Sequence, residues 1–231
     1  GDAIFIRTQD GKHILIDGGT DRKVLNCLAN HMPFWERTID LMILTHPHAD
    51  HFIGMYYVLE RYDITHFATE KLENKSGEFK ELLKMLGERG VPVQHVLSGD
   101  KWTISGNQGH DDISISVLGP TKEFLSKTSP TGNIGDSKEF ASLVMDIGYA
   151  SFRTVLTGDT QSGELSQIVN KLDLQDRKID ILQSPHHGSR TGLTKEIVQK
   201  IGPRLVVISV GAFNRYKHPS KQTLDILKEA K

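Results

Sequence analysis

The segment "LTHPHADHFIG", residues 44–54, concentrates side chains that bind metal ions. It holds three histidines and one aspartate within six residues: His46, His48, Asp50 and His51. Imidazole nitrogens and carboxylate oxygens are the usual ligands of Zn²⁺, Mn²⁺ and iron. His46 with His48, and Asp50 with His51, form two pairs that suit two neighbouring metal ions. A histidine-rich loop that only contacts solvent is the alternative, and it leaves this clustering unexplained.

The backbone of this segment must turn all four side chains toward one volume. In a strand, alternate residues share a face, which would separate His51 from the other three. Pro47 disfavours a regular helix. We therefore predict a loop that follows the apolar strand Ile39–Leu44 and continues into a helix near His51.

A second candidate cluster, "SPHHGSRT", follows a predicted strand over residues 179–183 and contains His186 and His187. Either imidazole can act as a general acid toward a leaving oxygen or donate to a phosphate. Direct metal binding and a structural role are the alternatives. Polar side chains nearby are candidates for phosphate binding, with arginine acting as a bidentate donor, or else are solvated surface: Ser189, Arg190, Asn214 and Arg215.

Apolar periodicity predicts strands and helices along the whole chain. The predicted strands are 3–8, 13–17, 39–44, 64–68, 91–97, 113–117, 142–147, 152–156, 179–183 and 205–209. The predicted helices are 21–31, 55–61, 76–89, 163–172, 194–201 and 221–230, and residues 121–136 are predicted to form a long loop. This order predicts an α+β (layered α/β) fold, in which two mixed β-sheets pack together and helices cover the outer faces. We expect one domain over residues 1–231.

Composition excludes several classes of protein. Lys and Arg total 28 against 29 Asp and Glu, so bulk charge does not indicate a nucleic-acid or membrane partner. The single cysteine, Cys27, rules out an intrachain disulfide. No apolar run approaches the ~20 residues that span a bilayer. The chain opens directly on a strand without a start methionine, so we expect a trimmed N-terminus and a larger parent protein.

The motifs together resemble those of the metallo-β-lactamase superfamily. His46-x-His48-x-Asp50-His51 carries the superfamily signature. Within the superfamily, the chain is most similar to the hydrolase domain of ComEC-type DNA-uptake (competence) proteins. The motifs that carry this likeness are "GDAIFIRT", "ILIDGG", "ASLVMDI", "TVLTGD", "SPHHGSRT" and "VISVGAFNRYKHPS", which span nearly the whole chain.

The resemblance implies an αββα sandwich that binds one or two divalent metal ions, Zn²⁺ or Mn²⁺, at one edge. Asp17 would support the histidine segment, and Asp159 would bridge the two ions. His218 would be the last metal-binding histidine. By comparison with the tRNA 3′-end-processing nucleases of the superfamily, His187 is the catalytic candidate. Without the resemblance, a role of Asp159 as a helix N-cap is as well supported as a role as a metal ligand.

The chain departs from the superfamily at the third motif, where a metal-binding histidine is expected. Phe140-Ala141-Ser142 stands there instead, and Ser142 is retained from the competence-type pattern as a supporting residue. His110 is the nearest substitute, but its position fits badly. The first ion would therefore have open ligand positions, so its site is either weak or selective for a hard metal such as Mn²⁺.

These features predict a metal-dependent hydrolase, in which metal-activated water attacks a phosphodiester such as DNA. Asp50 would orient or deprotonate the water, and His187 or His186 would protonate the leaving oxygen. A small-phosphoester hydrolase and a non-catalytic domain that binds nucleic acid or a partner are the alternatives, and a β-lactamase fits less well because of the missing histidine. A free-standing protein would be cytoplasmic, whereas a domain of a competence channel would lie outside the membrane.

Overall fold

The N-terminal half of the chain forms one mixed sheet. The computed structural model describes residues 1–106, 111–138, 140–172, 174 and 178–230, so His110 lies outside the described residues. The strands are β1 (Ile4–Arg7), β2 (His13–Ile16), β3 (Thr38–Ile39), β4 (Leu41–Leu44), β5 (Asp63–Ile64), β6 (Phe67–Thr69) and β7 (Val93–His95). The first sheet has the order β1-β2-β4-β6-β7, in which only β1 and β2 are antiparallel. β3 pairs with β5 beside it.

The C-terminal half forms a second mixed sheet. Its strands are β8 (Lys101–Ile104), β9 (Ile113–Gly119), β10 (Val144–Tyr149), β11 (Phe152–Leu156), β12 (Ile181–Gln183) and β13 (Leu205–Val207). They follow the order β13-β12-β11-β10-β9-β8. β8 to β11 are antiparallel neighbours, whereas β11, β12 and β13 run parallel.

Seven helices cover the outer faces in the part of the chain that the structure describes. They are α1 (Val24–His31), α2 (Ala49–Leu59), α3 (Gly77–Glu88), α4 (Lys122–Thr128), α5 (Ser162–Lys171), α6 (Lys195–Ile201) and α7 (Lys221–Glu229). Among these described helices, none combines the length and the apolar character that crossing a bilayer requires.

Side-chain alternation along the strands separates the core into layers. In β2, Ile14 and Ile16 pack between the two sheets, whereas Leu15 packs under the helices of the first sheet. In β10, Met145 faces the inter-sheet core and Val144 faces the helices of the second sheet. Because successive residues of a strand point to opposite faces, each strand contributes to two apolar layers. The predicted αββα layering is confirmed.

Several elements differ from the sequence prediction. The predicted strands 39–44 and 64–68 are each divided in two, into β3 and β4 and into β5 and β6. The predicted loop 121–136 contains α4, whose first turn is capped by the Thr121 side chain as it accepts from Phe124 N–H. The short strand β8 was not predicted; its half-buried Trp102 and Ile104 alternate with exposed residues. α2 begins at Ala49, two residues after Pro47 and close to the helix entry expected near His51, and not at residue 55. Pro47 ends the loop that precedes this helix and does not interrupt the helix itself.

The parallel strands bring distant parts of the sequence to one edge of the sandwich. β2 and β4 run parallel in the first sheet, so the segments after Ile16 and Leu44 leave at the same end. β11, β12 and β13 do the same in the second sheet. Because the carboxyl ends of parallel strands meet at one edge, five loops converge there. These loops carry the predicted site residues.

Candidate metal centre

The histidine segment leaves β4 and enters α2 through a tight turn. His46 and His51 are completely buried, while His48 is partly exposed and caps the start of α2. His46 Nε2 lies 3.0 Å from His48 Nδ1. Asp50 lies in the first turn of α2, where a negative charge is favourable because the helix dipole is positive there. The turn thus brings the four predicted ligands to one end of the helix.

Asp17 holds this turn in place from the neighbouring strand. Its Oδ1 accepts from the Thr45 backbone N–H at 2.8 Å, and its Oδ2 accepts from the Thr45 hydroxyl and from His51 Nδ1–H, both at 2.7 Å. Because Nδ1 of His51 bonds to Asp17, its Nε2 faces the centre. Burial opposes charge on His51, but the carboxylates of Asp17 and Asp159 raise its pKa well above the ordinary value.

Two glycines allow Asp17 and α2 to approach each other this closely. A Cβ atom at Gly54 would lie 1.7 Å from the carbonyl oxygen of Gly18, and a Cβ at Gly18 would lie 2.6 Å from the Met55 nitrogen. The backbone N–H of Gly18 donates to His51 O, and that of Gly54 donates to Gly19 O. Any larger side chain would therefore push the ligand-bearing helix away from its support.

Two hydroxyl groups orient His46, whereas a carboxylate orients His51. His46 Nδ1 lies 3.1 Å from the Thr45 hydroxyl and 3.3 Å from that of Ser142. The Thr45 hydroxyl already donates its proton to Asp17, so His46 Nδ1–H is the donor and Nε2 faces the centre. Burial and the neighbouring His51 lower the pKa of His46 well below its ordinary value.

Asp159 lies between two groups of ligands. Its Oδ2 is 3.7 Å from His46 Nε2, and its Oδ1 is 3.4 Å from His51 Nε2. Its backbone N–H donates to the Ser142 hydroxyl, which ties the aspartate to the first group. The ligand atoms of each group lie within 4.8 Å of one another: His46, His48 and Asp159 form the first group, and Asp50, His51 and His187 form the second.

His187 completes the second group through an unusual backbone conformation. Both His186 and His187 have left-handed φ angles, 49° and 55°, which cost about 1–3 kcal/mol each in residues with a Cβ. His187 Nδ1–H donates to the Ser209 carbonyl at 3.0 Å, which turns Nε2 toward Asp50 at 3.4 Å and Asp159 at 3.6 Å. Burial opposes charge on this ring, but the carboxylates around it raise the pKa of His187 to about 10.

Asp2 is a member of this site that the sequence did not reveal. It is buried, its Oδ2 accepts from Gln183 Nε2 at 2.6 Å, and its Oδ1 lies 3.5 Å from His187 Nδ1. It also lies within ligand distance of His51 and Asp159. Asp2 is the second residue of "GDAIFIRT", one of the motifs that carry the resemblance. The sequence gives no sign that this aspartate lies next to a histidine far along the chain.

His218, which the resemblance implies as a metal ligand, lies beyond these groups. Its ring is 5.9 Å from the ring of His186 and is stacked on Tyr216 at 5.8 Å. Among the described residues, the two ligand groups form without it, because the left-handed turn places His187 next to Asp50 and His51. Its role as a ligand stays a prediction, although its Nδ1 is buried without a hydrogen bond.

A cleft of about 760 Å³ opens above the ligands. His186 lines it, with its Nε2 3.8 Å from Asp159 Oδ2. Phe140, in the place of the expected third-motif histidine, also lines it and stacks on the His46 ring at 5.2 Å. Phe140 therefore closes the first group with an apolar ring instead of a fourth ligand. The sequence showed its position but not this contact.

The four predicted substrate-binding residues have different surroundings. Arg215 lines the cleft wall. Asn214 also lines it, but its amide donates to Gly211 O and His218 O and accepts from His218 N–H, so it positions the His218 loop. Ser189 is buried with its hydroxyl next to that of Thr191, and Arg190 is exposed; neither lines the cleft in the described part of the chain.

The residues of the centre fit bound cations. Three buried atoms that face the same volume have no hydrogen-bond partner among the described residues: His51 Nε2, Asp159 Oδ1 and His187 Nε2. Leaving such an atom unsatisfied costs about 1–3 kcal/mol, more when it is charged. Ligands of one tetrahedral zinc ion lie about 3.3 Å apart, and the distances here are close to that value. An αββα sandwich with this ligand set defines a metal-binding enzyme fold.

Comparison with known proteins identifies the family. The profile of the metallo-beta-lactamase superfamily matches residues 1–125, and the chain belongs to that superfamily. The superfamily consists of metal-dependent hydrolases that bind one or two divalent metal ions. The predicted recognition, fold class and metal-binding hydrolase character are therefore confirmed.

The individual relatives have low sequence identity to this chain. ComE operon protein 3 of Bacillus subtilis is 27% identical over 83% of this chain, which spans only 22% of that protein. Exodeoxyribonuclease WalJ of Streptococcus pneumoniae is 23% identical over 87% of this chain and 67% of its own length. The solved structure of the metallo-beta-lactamase fold protein YhfI from Bacillus subtilis has a TM-score of 0.59 at 14% identity, covering 97% of this chain and 84% of that one.

Proposed function

We propose that this chain is a metal-dependent phosphodiesterase that hydrolyses DNA. The placement of Asp159 carries the proposal, because its two carboxylate oxygens face two groups of ligands at the floor of one cleft. Two cations spaced in this way suit a phosphoryl transfer, in which an attacking and a leaving oxygen both develop charge. The likeness to a protein named as an exodeoxyribonuclease supports DNA as the substrate.

The chain offers two groups of residues that could hold these ions. The first group would hold one cation and the second group the other, and Asp159, which belongs to the first group, also lies within 3.6 Å of His51 and His187 in the second. When bound, the cations supply Lewis-acid activation of water and neutralise charge on the phosphoryl oxygens. The first group has only two imidazoles and a carboxylate, so oxygen ligands must fill the remaining positions. This favours Mn²⁺ over Zn²⁺.

Two side chains at the cleft are placed for proton transfer. Asp50 is partly exposed and lines the cleft, and His187 lowers the pKa of its carboxyl against the opposing effect of burial. Asp50 therefore stays ionised and can orient the attacking water. His186 lines the same cleft and belongs to neither ligand group, whereas His187 is part of the second group and its Nδ1 is bonded to Ser209. His186 is thus better placed than His187 to protonate the leaving oxygen.

Arg215 gives the cleft a cationic group for the substrate. It lines the cleft wall, and its guanidinium is always protonated. A guanidinium binds non-bridging phosphate oxygens through paired hydrogen bonds. The negative centre would otherwise repel a polyanion, so the ions and Arg215 together make phosphate binding favourable.

The test uses the purified chain with fluorescently labelled DNA and a panel of Mn²⁺, Zn²⁺ and Mg²⁺, together with its metal content by elemental analysis. We expect cleavage that requires a divalent ion. Asp159→Asn keeps the shape of the side chain but removes its charge from both groups. Because losing a mere supporting residue costs about 10- to 100-fold in metal affinity or activity, we expect a larger loss here.

The matched control is Asp225→Asn, which removes an exposed carboxylate on α7 that pairs with Lys221. This variant should retain wild-type cleavage. Metal-dependent cleavage that survives Asp159→Asn would overturn the proposed mechanism. Hydrolysis of bis-p-nitrophenyl phosphate without any cleavage of DNA would instead reassign the chain to small phosphoesters.

A further inference from the structure

The turn between β13 and His218 carries aromatic rings at the mouth of the cleft. Tyr216 lines the cleft, is 65% exposed, and stacks on the His218 ring at an interplanar angle of 17°. Phe213, on the same turn, is fully exposed at 102%. Neighbouring residues of the turn, Gly211 and Asn214, line the cleft. Two large rings of this turn therefore face solvent: Tyr216 in the wall of the cleft, and Phe213 three residues before it in the chain.

Arg215 fixes the position of one of these rings. Its guanidinium lies 5.0 Å from the centre of the Tyr216 ring, and its Nη2 donates to the Tyr216 hydroxyl at 2.9 Å. Asn214 anchors the base of the turn through three hydrogen bonds to the backbone at Gly211 and His218. The base of the turn is thus fixed by backbone hydrogen bonds, while the Phe213 ring is fully exposed and the Tyr216 ring is partly exposed.

Isolated exposed apolar residues are common on protein surfaces and need no explanation. Here, however, Val210, Phe213 and Tyr216 are all more than a third exposed within one turn. The same turn supplies Arg215 to the cleft and leads directly into His218. Exposed aromatic rings next to a cation are what proteins use to bind unpaired nucleotides.

We propose that Phe213 and Tyr216 stack on unpaired bases, so that the site acts on single-stranded polynucleotide; this rests on the proposed phosphodiesterase function. A base inside a duplex is already stacked on both faces, whereas an unpaired base can offer a face to an aromatic ring. Duplex affinity depends on many phosphate contacts, and the net charge of −1 provides few surplus cations. Stacking supplies affinity without further cations.

The test compares Phe213→Ala with wild type on three labelled substrates in the same metal buffer. They are a single-stranded oligonucleotide, its blunt duplex, and a strand of the same length whose central positions are abasic. On the single strand we expect kcat/KM to fall about 5- to 150-fold, the equivalent of ~1–3 kcal/mol for one stacked base. On the abasic strand the two proteins should agree within about twofold, because the partner ring is absent.

Phe213→Trp should restore or exceed wild-type activity on the single strand, since indole also stacks. Phe34→Ala is the matched control, because Phe34 is 81% exposed, packs edge-on against Trp35 and lies on a segment that contributes no residue to the cleft, whereas the turn of Phe213 contributes Gly211, Asn214 and Tyr216. An equal loss on all three substrates, or no loss on the single strand, would overturn the inference. Preference of the wild-type protein for the duplex would do the same.

Binding separates this inference from the proposed function. Fluorescence anisotropy of the same strands, measured with Ca²⁺ in place of the reactive ion, reports stacking without turnover. If the protein binds the single strand through Phe213 but cleaves nothing with any metal, only the phosphodiesterase proposal fails. If it cleaves DNA and anisotropy shows no effect of Phe213→Ala, only the stacking proposal fails.

Discussion

The two ligand groups share Asp159 but are supported by different chemistry. In the first group, His46 donates to neutral hydroxyls, those of Thr45 and Ser142. In the second group, His51 donates to the carboxylate of Asp17. A carboxylate behind a metal-binding imidazole fixes its orientation and raises its basicity. A neutral hydroxyl fixes the orientation and does little for the basicity.

The groups also differ in charge. The second group contains Asp50, lies against Asp159 at 3.4 Å from His51 Nε2, and has the buried Asp2 beside it. The first group contains only the shared carboxylate, and Phe140 covers it with an apolar ring. A cation is stabilised more where more negative charge is buried near it. We therefore expect the second group to hold its ion tightly and the first group to hold its ion weakly.

Among the variants that act on one group, the largest expected effect comes from Asp17→Asn, which neutralises the carboxylate behind His51. Asp17 has a φ of 58°, a conformation that asparagine tolerates well, so the backbone should be preserved. We expect the tighter of two metal-binding steps to weaken about 10- to 100-fold. Calorimetric titration with Mn²⁺ measures this. A weakening of only the looser step would reverse the proposed order of the two groups.

Gly54→Ala should have the second-largest effect, because the added methyl group pushes α2 away from the segment that follows Asp17. The added Cβ would lie 1.7 Å from the Gly18 oxygen. We expect the free energy of unfolding to fall by about 1–3 kcal/mol, and the tighter metal-binding step to weaken with it. Thermal and urea denaturation with and without Mn²⁺ measure both effects.

The control for Gly54→Ala is Gly87→Ala on α3, where an added Cβ meets no atom within 4 Å. Alanine is the better helix former there, so this variant should be about 0.5–1 kcal/mol more stable. Equal stabilities of the two variants would show that the contact between Gly18 and Gly54 does not limit the position of α2.

The smallest expected effect is that of Ser142→Ala on the first group. This variant removes the hydroxyl beside His46 Nδ1 and the acceptor for the Asp159 N–H. We expect the looser metal-binding step to weaken by up to about tenfold, the lower end for a supporting contact. Ser114→Ala on β9 is the control, since its exposed hydroxyl is remote from the ligands. A larger effect on the tighter step would contradict the assignment of Ser142.

Sequence reasoning found most of the ligands because four of them are adjacent in the chain. His46, His48, Asp50 and His51 are so close in sequence that a tight turn brings their side chains together, so their convergence was predictable. The layered fold followed from the strand and helix periodicities and from the resemblance. Asp159 needed the resemblance, because alone it also reads as a helix cap.

The rest depends on backbone dihedral angles that residue types do not encode. The left-handed angles of His186 and His187 decide that His187, and not His218, lies beside Asp50 and His51. Histidine rarely adopts these angles, so no sequence rule predicts them. Asp2 was missed for a related reason: its partner Gln183 is 181 positions away, and only the packing of the two sheets joins them.

Because loops from both sheets converge at the centre, ions bound there would link the two sheets of the sandwich. His46 and His51 come from the first sheet, Asp159 and His187 from the second, and Ser142 meets His46 across 96 positions of chain. Closing loops of this length is a large entropic cost that bound ions help to offset. At a free ion concentration 100 times the dissociation constant, such binding adds about 2.7 kcal/mol to stability. Local metal supply would then govern how long the folded chain survives, as well as how fast it turns over substrate.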